Sequence, residues 1–462
     1  MILRLLGPLG ALGCSTVCVG PDCADALPAA SAVAHRGLPL FGSSDATVDA
    51  WASWDGAVTD GSEWRLASDG EVLLVGMPDV GQVARLPLRE GSGDALPLQR
   101  WAAPDSALGA SLAVADLDAD GRWDLVVGGP RWDLERGAVA VIYDAAATGS
   151  DSALQDVATT LLTGPTSGDG LGNALAVCAD RTGDGRPELL VGASRLSGLP
   201  EVPDLAGGVF YITSEALAAA KGTSAIVDHA TVWWADQVGA AAGTSVSCAA
   251  DATTDGLPDL FIGAPFHGSD TTTGDQGRVW IVDEAESTTL DAASRTTIDG
   301  PGASAWAGEA LVSWEDATGP RLAIATPGAS DGAGGVYVVD PRSARSGAIS
   351  ALVHIDDPDG LTRHLGRGLT AGDLDADGTF ELVLGAPDFQ LGRDGYDTGR
   401  AWVWSGSTLA TLRGNQPLAD AGFRVDGDDA FQRVGARPVV VDLDPDELGA
   451  DLLLPLRAPA QP

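Results

Sequence analysis

Four short segments of the chain place acidic residues at a spacing that suits a hard divalent cation. The first segment, residues 116–124, reads DLDADGRWD and carries aspartates at its positions 1, 3, 5 and 9. Ca²⁺ takes 6–8 oxygen ligands, and these carboxylates, together with the backbone carbonyl at position 7, can surround it. Gly121 at position 6 allows the sharp bend that turns the ligands inward. The segment therefore predicts a calcium-binding loop.

Three further segments repeat this pattern with changes that should alter the strength of binding. The segment at 373–381 keeps acids at positions 1, 3, 5 and 9, whereas the other two carry threonine at position 3. Threonine offers an oxygen but no charge, so those two loops are expected to bind calcium more weakly. The predicted ligands, at positions 1, 3, 5, 7 and 9 of each loop, are Asp116, Asp118, Asp120, Arg122 and Asp124; Asp180, Thr182, Asp184, Arg186 and Glu188; Asp251, Thr253, Asp255, Leu257 and Asp259; and Asp373, Asp375, Asp377, Thr379 and Glu381.

A fifth acidic segment departs from the pattern. It carries Asp442, Asp444 and Asp446, but Glu447 replaces the bend glycine and Ala450 occupies position 9. Whether it binds calcium is left open. For every loop the competing interpretation is an acidic β-turn, because Asp-Gly is a common turn signal.

The sequence on either side of these loops has the pattern of β-strands. LAVA at 112–115 precedes the first loop, and DLVVGG at 124–129 follows it. An EF-hand would require flanking helices and a glutamate at position 12, where this loop has Val127. The predicted site is therefore a loop within a β-hairpin.

The strand after the loop recurs along the chain as an apolar run ending in G-x-P or a relic of it. The runs are LLVGMP at 73–78, LVVGGP at 125–130, LLVGAS at 189–194, LFIGAP at 260–265, LAIATP at 322–327, LVLGAP at 382–387 and LLLPLR at 452–457. Full units add a glycine-rich approach before the loop and a glycine-led strand after it, which gives about four short strands per unit. Spacings of about 50 to 70 residues are near those of propeller blades. Seven such units predict an all-β fold, a seven-bladed β-propeller.

The order G-x-x-x-G, D-x-D-x-D-G-x-x-D, apolar G-A-P and G-x-V-x-V resembles the FG-GAP repeats of the integrin alpha-subunit head and its bacterial relatives. The resemblance spans about residues 60–457. It implies calcium in hairpin loops between the first and second strands of some blades, and adhesion or ligand binding by loops on one rim. The first and fifth units depart from it, with ASDGE and WEDATG in place of the acidic loop. The inserted metal-binding domain that some integrin alpha chains use for ligands is also absent.

Composition narrows the choice of partners. The formal net charge is −38, with 65 acidic and 27 basic residues. Nucleic acids and anionic membrane faces are polyanions, so neither is expected as a partner. The sequence after the N-terminal segment contains no stretch of about 20 apolar residues, so no transmembrane helix is expected.

The first residues have the features of an export signal. MILRLLGPLGALGC carries one positive charge, a short apolar run and small residues before Cys14. Ala11 to Cys14 also resembles a bacterial lipoprotein processing site, which would make Cys14 a lipid anchor; a simple secretion signal is the alternative. Residues 1–34 are predicted to be signal and tether, and 35–462 the propeller. The protein is expected at the cell surface, as an outer-membrane lipoprotein, or secreted.

Four cysteines remain if Cys14 carries lipid, and an exported protein permits disulfides. Cys18 and Cys23 could close a small loop, whereas the spacing of Cys178 and Cys248 does not distinguish a bond from two buried thiols.

The last unit ends without a glycine-led third strand. Residues 38–60 have strand-like content that is otherwise unexplained. Open sheet edges promote aggregation. We therefore expect 38–60 to pair beside 452–457, so that N-terminal strands close the last blade.

No catalytic constellation is predicted. The G-x-S-x-G match at 328–332 lies between two strands, whereas a nucleophile elbow opens a helix. The five histidines show no paired spacing, and His267 is interpreted as an exposed loop residue. The tryptophans fall mainly at strand positions and are interpreted as blade packing.

The expected function is a calcium-binding adhesion or ligand-binding module for a protein or glycan. The insertions at 194–207, 266–277 and 388–399 are the expected contact surface. The alternative is a carbohydrate-binding or polysaccharide-active propeller, a hydrolase or lyase.

Overall fold

Short antiparallel strands make up nearly all of the regular structure. The computed structural model describes residues 2–5, 29–35, 50–54, 65–68, 72–87, 99–145, 151–268, 274–283, 286–357, 360, 362–390, 397–426, 433–441 and 450–455. Their strands form seven sheets. Cys14, Cys18, Cys23 and the acidic segment at 442–446 lie outside the described residues. The prediction of an all-β propeller is confirmed.

Six of the sheets share one construction and are the blades. Four successive strands of each blade are antiparallel neighbours, and in five blades a later segment adds a parallel outer strand. Blade 1 contains β4 (Arg65–Ser68), β5 (Val72–Met77), β6 (Gln82–Pro87), β7 (Gln99–Ala102) and β11 (Asp151–Ala153); blade 2 contains β8 (Ser111–Ala115), β9 (Asp124–Gly129), β10 (Ala138–Ile142), β12 (Thr160–Thr163) and β16 (Gly222–Ala225); blade 3 contains β13 (Ala174–Cys178), β14 (Glu188–Ala193), β15 (Gly208–Ile212), β17 (Thr231–Trp234) and β21 (Thr288–Thr289). Blade 4 contains β18 (Ser245–Ser247), β19 (Leu260–Ala264), β20 (Arg278–Val282), β22 (Ser294–Asp299) and β26 (Gly347–Ala348); blade 5 contains β23 (Leu311–Asp316), β24 (Gly319–Ala325), β25 (Gly335–Val339), β27 (Val353–Asp356) and β31 (Gly414–Pro417); blade 6 contains β28 (Gly368–Gly372), β29 (Glu381–Ala386), β30 (Arg400–Trp404) and β32 (Phe423–Asp426).

The seventh sheet is built differently, which corrects the prediction of seven like blades to six. Within its described residues, the last repeat supplies β33 (Val439–Val441) and β34 (Asp451–Pro455). The remaining strands are β1 (Ile2–Leu5), β2 (Ala29–His35) and β3 (Ala50–Trp54), in the order β3-β2-β1-β34-β33. β1 runs parallel to β2, a pairing that the first four strands of the blades do not contain.

The expected neighbour of the C-terminal strand is also corrected. β1, rather than a strand from 38–60, lies antiparallel to β34, and β3 lies two strands further out. Both β1 and β34 are short segments rich in leucine, and the unpaired backbone groups of an open strand edge are a template for another extended segment. The division into residues 1–34 and 35–462 stays a prediction.

Helices are single turns or little more, placed in the connections. They are α1 (Trp132–Glu135), α2 (Leu154–Val157), α3 (Ser214–Ala219), α4 (Leu290–Ala293), α5 (Ala329–Gly332) and α6 (Gly406–Thr411), with 3₁₀ turns at Ile226–Asp228 and Leu418–Asp420. None of the helices in the described part of the chain is long and apolar enough to cross a bilayer.

The apolar faces of neighbouring blades pack against each other, and the first strands surround a central cavity of about 490 Å³. Trp280, Trp402 and Trp404 are buried in these layers. Their interpretation as blade packing is confirmed. A disulfide between Cys178, at the end of β13, and Cys248, just after β18, joins the innermost strands of blades 3 and 4.

Glycines allow the blades to approach closely, and they explain the repeated G-A-P. A Cβ added to Gly192, in the second strand of blade 3, would lie 2.2 Å from the carbonyl oxygen of Gly243, in the approach to blade 4. Gly128 of blade 2 would meet Gly172 of blade 3 in the same way, at 2.1 Å. The glycine of the G-A-P motif in one blade is therefore required because the backbone before the first strand of the next blade leaves no room for a side chain.

Replacing Gly192 by alanine is expected to destabilise the propeller by about 1–3 kcal/mol, because the new methyl group overlaps backbone rather than a movable side chain. Gly302→Ala is the matched control, since no atom lies within 4 Å of its added Cβ, and it should change the free energy of unfolding by less than about 0.5 kcal/mol. Denaturant unfolding measures both; equal effects would contradict the close-approach explanation.

Candidate functional site

The four predicted metal loops occupy equivalent places in blades 2, 3, 4 and 6. Each connects the first strand of its blade to the second, so all four lie at the same end of the blades. The acid at position 1 follows the first strand closely, and the acid at position 9 begins or immediately precedes the second. Antiparallel pairing of these two strands brings the ends of each loop together.

Hydrogen bonds within each loop hold its first and last acids in a common arrangement. In the loop of blade 2, Asp116 accepts the backbone N–H groups of Asp120 (3.0 Å) and Gly121 (2.8 Å), and Asp124 accepts that of Leu117 (2.8 Å). The same bonds recur at 373–381, where Asp373 accepts from positions 5 and 6 and Glu381 from position 2. The backbone thus folds around the carboxylates. Gly121 and Gly378 provide the left-handed bend at position 6, with φ of 81° and 82°.

The acid at position 9 is buried in every loop: Asp124, Glu188, Asp259 and Glu381. Burial raises the pKa of Asp124 to about 6 and that of Glu381 to about 7, because loss of hydration disfavours the charged form. A cation beside these carboxylates would offset that cost. The donor set in these loops, carboxylates, hydroxyls and backbone carbonyls, is the chemistry that calcium prefers.

Three of the loops bring their acids close enough to share one cation. In each group one oxygen from each of three carboxylates lies within 4.8 Å of the others. The groups are Asp116, Asp118 and Asp124; Asp180, Asp184 and Glu188; and Asp373, Asp375 and Glu381. Thr182 lies within the second group's loop, where its hydroxyl donates to Glu188 (2.8 Å).

The loop of blade 4 is arranged differently. Within the described residues, Asp251, Asp255 and Asp259 do not form such a group. Arg342 Nη2 instead lies 3.6 Å from Asp251 Oδ2, and its Nε donates to the Asp251 carbonyl oxygen (2.9 Å). Arg295 donates to the carbonyl oxygen of Ala252 at 2.6 Å. Guanidinium groups therefore supply the positive charge at this loop.

The residue at position 7 distinguishes the three grouped loops. Arg122 Nε donates to Asp120 (2.9 Å), and Arg186 donates to Asp184 (2.7 Å). The Arg122 hydrogen bond holds the pKa of Asp120 below its ordinary value, and the Ser214 hydroxyl followed by Arg186 does so for Asp184. In blade 6 the residue is Thr379, which carries no charge to compete with a metal ion. Of the three, the loop at 373–381 is the one whose acids have no guanidinium partner in this position.

Comparison with known protein families agrees with this repeat structure. Residues 108–142, 242–282 and 365–404 match the model of the FG-GAP repeat. The chain contains FG-GAP repeats. Each matched segment covers the first three strands of a blade, namely blades 2, 4 and 6. The predicted resemblance is confirmed.

Other comparisons add little about function. None of the curated proteins compared with the chain matches it. Among solved structures it is similar to "Crystal structure of BBS1N in complex with ARL6DN, soaked with lead", with a TM-score of 0.46, 11% identity and coverage of 87% of this chain and 96% of that one. It is also similar to "Structure of Dos1 propeller", with a TM-score of 0.44, 12% identity and coverage of 87% and 78%. Neither similarity bears on what this chain binds.

The opposite end of the FG-GAP blades carries exposed apolar side chains. Connections from the second to the third strand, and from the fourth strand to the next blade, lie at the end away from the acidic loops. Four of the five large hydrophobic residues recorded as exposed in the described part lie in these connections, hereafter called the rim. They are Leu134 (80% exposed), Leu205 (52%), Val238 (65%) and Phe266 (44%).

Two of these rim residues also have a costly backbone. Leu134 and Leu205 adopt left-handed conformations, with φ of 58° and 51°. A bulky side chain in this region costs roughly 1–2 kcal/mol. Side-chain packing does not offset that cost, because both side chains are exposed to solvent. The same left-handed turn recurs at Asp275 in blade 4 and Asp397 in blade 6, with φ of 49° and 48°, so the conformation belongs to the repeat.

The rim of blade 6 is polar instead. Asp388, which follows β29, accepts hydrogen bonds from His364 (2.7 Å), Arg367 (3.1 Å) and Arg433 (3.0 Å). Although burial raises the pKa of Asp388, these bonds lower it below the ordinary value. These contacts tie the approaches of blade 6 and the seventh sheet together.

The G-x-S-x-G match and His267 both lie at the rim. The G-x-S-x-G match forms the second-to-third connection of blade 5, where Ser330 and Asp331 have the left-handed conformation that Asp133 and Leu134 have in blade 2. It is thus a feature of the repeat. His267 was interpreted as an exposed residue, which is wrong: it is buried, because the loop folds back so that Gly277 donates to its carbonyl oxygen. Burial, with a contribution from Arg278, lowers the pKa of His267 to about 4.

Proposed function

We propose that the chain is an exported ligand-binding propeller that calcium stabilises at one end and that binds a protein partner through the rim at the other. The exposed apolar residues at the rim of blades 2, 3 and 4 are the observation that carries this proposal. The four side chains lie at the same end of three consecutive blades, and an exposed apolar surface there favours a partner that covers it.

Calcium is assigned to the three grouped loops. Carboxylates that repel one another across less than 4.8 Å favour a bound cation. When bound, calcium neutralises these acids and fixes the turn between the first and second strands. The loop at 373–381 is expected to bind most tightly, and the loop at 251–259 most weakly, because Arg342 and Arg295 already occupy its surroundings.

A protein ligand accounts for the rim better than a glycan does. Sugar-binding surfaces rely on exposed aromatic rings with hydrogen-bonding groups around them, whereas three of the four exposed rim residues are aliphatic and Phe266 is the one aromatic among them. Trp280, Trp402 and Trp404 are buried and therefore unavailable as sugar platforms. FG-GAP propellers are typically not enzymes, and the proposed role is binding. A carbohydrate-binding or polysaccharide-active propeller remains the second candidate.

Export agrees with the repeats and the disulfide. FG-GAP repeats are typical of extracellular proteins, and disulfides persist in oxidising compartments. Processing at Cys14 would remove β1 from the seventh sheet. β2 and β3 would then be the N-terminal strands left to cover β34.

The rim is tested by replacing its apolar residues without disturbing the fold. The triple variant Leu134→Ser, Leu205→Ser and Phe266→Ser should retain the wild-type melting temperature, since these side chains are exposed, and lose binding to a partner by about 100-fold or more. Val227→Ser, an exposed apolar residue outside the second-to-third connections, is the matched control.

The measurement is cross-linking of immobilised protein to surface proteins of the producing organism, followed by affinity measurement with the purified partner. A parallel panel of oligosaccharides tests the second candidate. Binding that the triple variant retains, or binding to glycans alone, would contradict the proposal.

A further inference from the structure

The junction of blades 3 and 4 holds a second group of metal-ligating side chains, apart from the acidic loops. Asp236 follows β17 of blade 3, His267 follows β19 of blade 4, and Asp291 lies in α4. One ligand atom from each lies within 4.8 Å of the other two. Because three separate elements supply these residues, tertiary structure brings them together rather than a local turn.

The histidine in this group is buried without a polar partner. His267 is 4% exposed, and among the described residues neither ring nitrogen has a hydrogen-bond partner. Its Nε2 lies 3.9 Å from Asp236 Oδ1, beyond hydrogen-bonding distance. The Trp280 ring packs edge-on against the imidazole, with centroids 5.5 Å apart. A buried polar group left unpaired is costly, and native proteins usually satisfy it.

The distance between His267 Nε2 and Asp236 Oδ1 suits two ligands of one bound ion. Ligands about 2.0–2.1 Å from a tetrahedral zinc ion lie about 3.4 Å from one another. The observed 3.9 Å between Nε2 and the Asp236 oxygen requires a movement of only about half an ångström. An imidazole with two carboxylates is a donor set for zinc-class ions, whereas calcium prefers oxygen ligands alone.

Neighbouring groups hold Asp291 in place and set the charge. Trp280 Nε1 and Arg278 Nη1 both donate to Asp291 Oδ1 at 3.0 Å, and Arg278 Nε donates to Asp299 at 2.6 Å. Such outer hydrogen bonds orient metal ligands. Asp236, Asp291 and Asp299 carry three negative charges against one on Arg278, so a divalent cation would bring the cluster to neutrality.

We propose that Asp236, His267 and Asp291 bind one divalent transition-metal ion of the zinc class. The ion links blade 3 to blade 4 at the rim and anchors the loop that exposes Phe266. The side chain of Asp236 is 55% exposed, so the site opens to solvent on that side. This assignment does not depend on calcium binding or on a rim partner.

Equilibrium dialysis of the full chain against Zn²⁺ in excess Ca²⁺ tests the site, with Co²⁺ absorption as a second readout of imidazole coordination. The wild type should bind one Zn²⁺ that calcium does not displace. Asp236→Asn should weaken Zn²⁺ binding at least about tenfold, and His267→Gln at least about 100-fold. His354→Gln and Asp331→Asn, a histidine and an exposed aspartate elsewhere, should leave it unchanged.

Two results would overturn the proposal: no Zn²⁺ retained by the wild type in excess calcium, or wild-type affinity in folded Asp236→Asn. If His267→Gln fails to fold, Asp236→Asn decides the question, because that side chain is largely exposed.

Discussion

Removing calcium should lower the melting temperature of the propeller by about 5–10 °C. A ligand that binds only the folded state stabilises it by about 2.7 kcal/mol per site at one hundred times its Kd, so three sites contribute about 8 kcal/mol. For a chain of 462 residues, the entropy of unfolding makes 1 kcal/mol worth about 1 °C. Differential scanning calorimetry with and without chelator at low ionic strength measures the effect.

Paired variants assign the effect to the loops. Asp373→Asn with Asp375→Asn should remove the tightest site and more than a third of the chelator-sensitive shift, with the fold intact. Asp331→Asn is the control, because it is an exposed aspartate outside the loops. A melting temperature that neither chelator nor the paired variant changes would contradict calcium binding.

The same measurement has an expected pH dependence. Burial raises the pKa of Asp124 from 3.8 to about 6 and that of Glu381 from 4.5 to about 7 in the folded, calcium-free protein. The folded state then holds more protons than the unfolded state between about pH 4 and 7, so these groups lower the free energy of unfolding as pH rises. Calcium requires the ionised carboxylates, so its stabilising effect should grow over the same range and be larger at pH 7.5 than at pH 5.

Loss of the Cys178–Cys248 disulfide is expected to cost about 2–4 kcal/mol. The bond closes a loop with a sequence separation of 70, for which the chain-entropy estimate is about 4 kcal/mol. The double variant Cys178→Ala and Cys248→Ala, unfolded by denaturant, measures the loss. The variant should also weaken the contact between blades 3 and 4, since the bond joins their innermost strands.

The reduced wild type separates the bond from the side-chain volume. Reduction breaks the bond but keeps both sulfur atoms, so it should account for most of the loss, and the remaining difference reports the cavity left by alanine. Titration of two buried free thiols in the native, unreduced protein would contradict the bond.

Local sequence patterns predicted the loops well because their geometry is local. In the loop at 116–124 the position 1 acid directly follows one strand and the position 9 acid begins its antiparallel partner, so the hairpin alone brings them together. Arg342, which fills the surroundings of Asp251, is 91 residues away from it in sequence. No spacing within the loop could indicate that contact.

Repeat counting failed where a repeat is incomplete. The seventh unit has the apolar run, but its described residues supply two strands, β33 and β34, and the other strands of that sheet come from the N-terminus. The number of apolar runs equals the number of regular blades only when each run comes with all four strands.

No repeating sequence pattern marks the rim residues or the ligands of the zinc-class site. A leucine in a loop, such as Leu134 or Leu205, looks like an ordinary loop residue until its exposure and left-handed backbone are known. His267 follows a G-A-P run and appears exposed from sequence, yet the loop buries it beside Asp236 and Asp291. Those contacts depend on how neighbouring blades pack, which single-residue patterns do not encode.

The acidic loops are expected to hold calcium at one end of the propeller. Equilibrium dialysis with Ca²⁺ at pH 7.5 counts the ions that one chain retains. We expect three ions for the wild type and two for the Asp373→Asn, Asp375→Asn variant. A wild-type chain that is folded and retains no calcium would contradict the account.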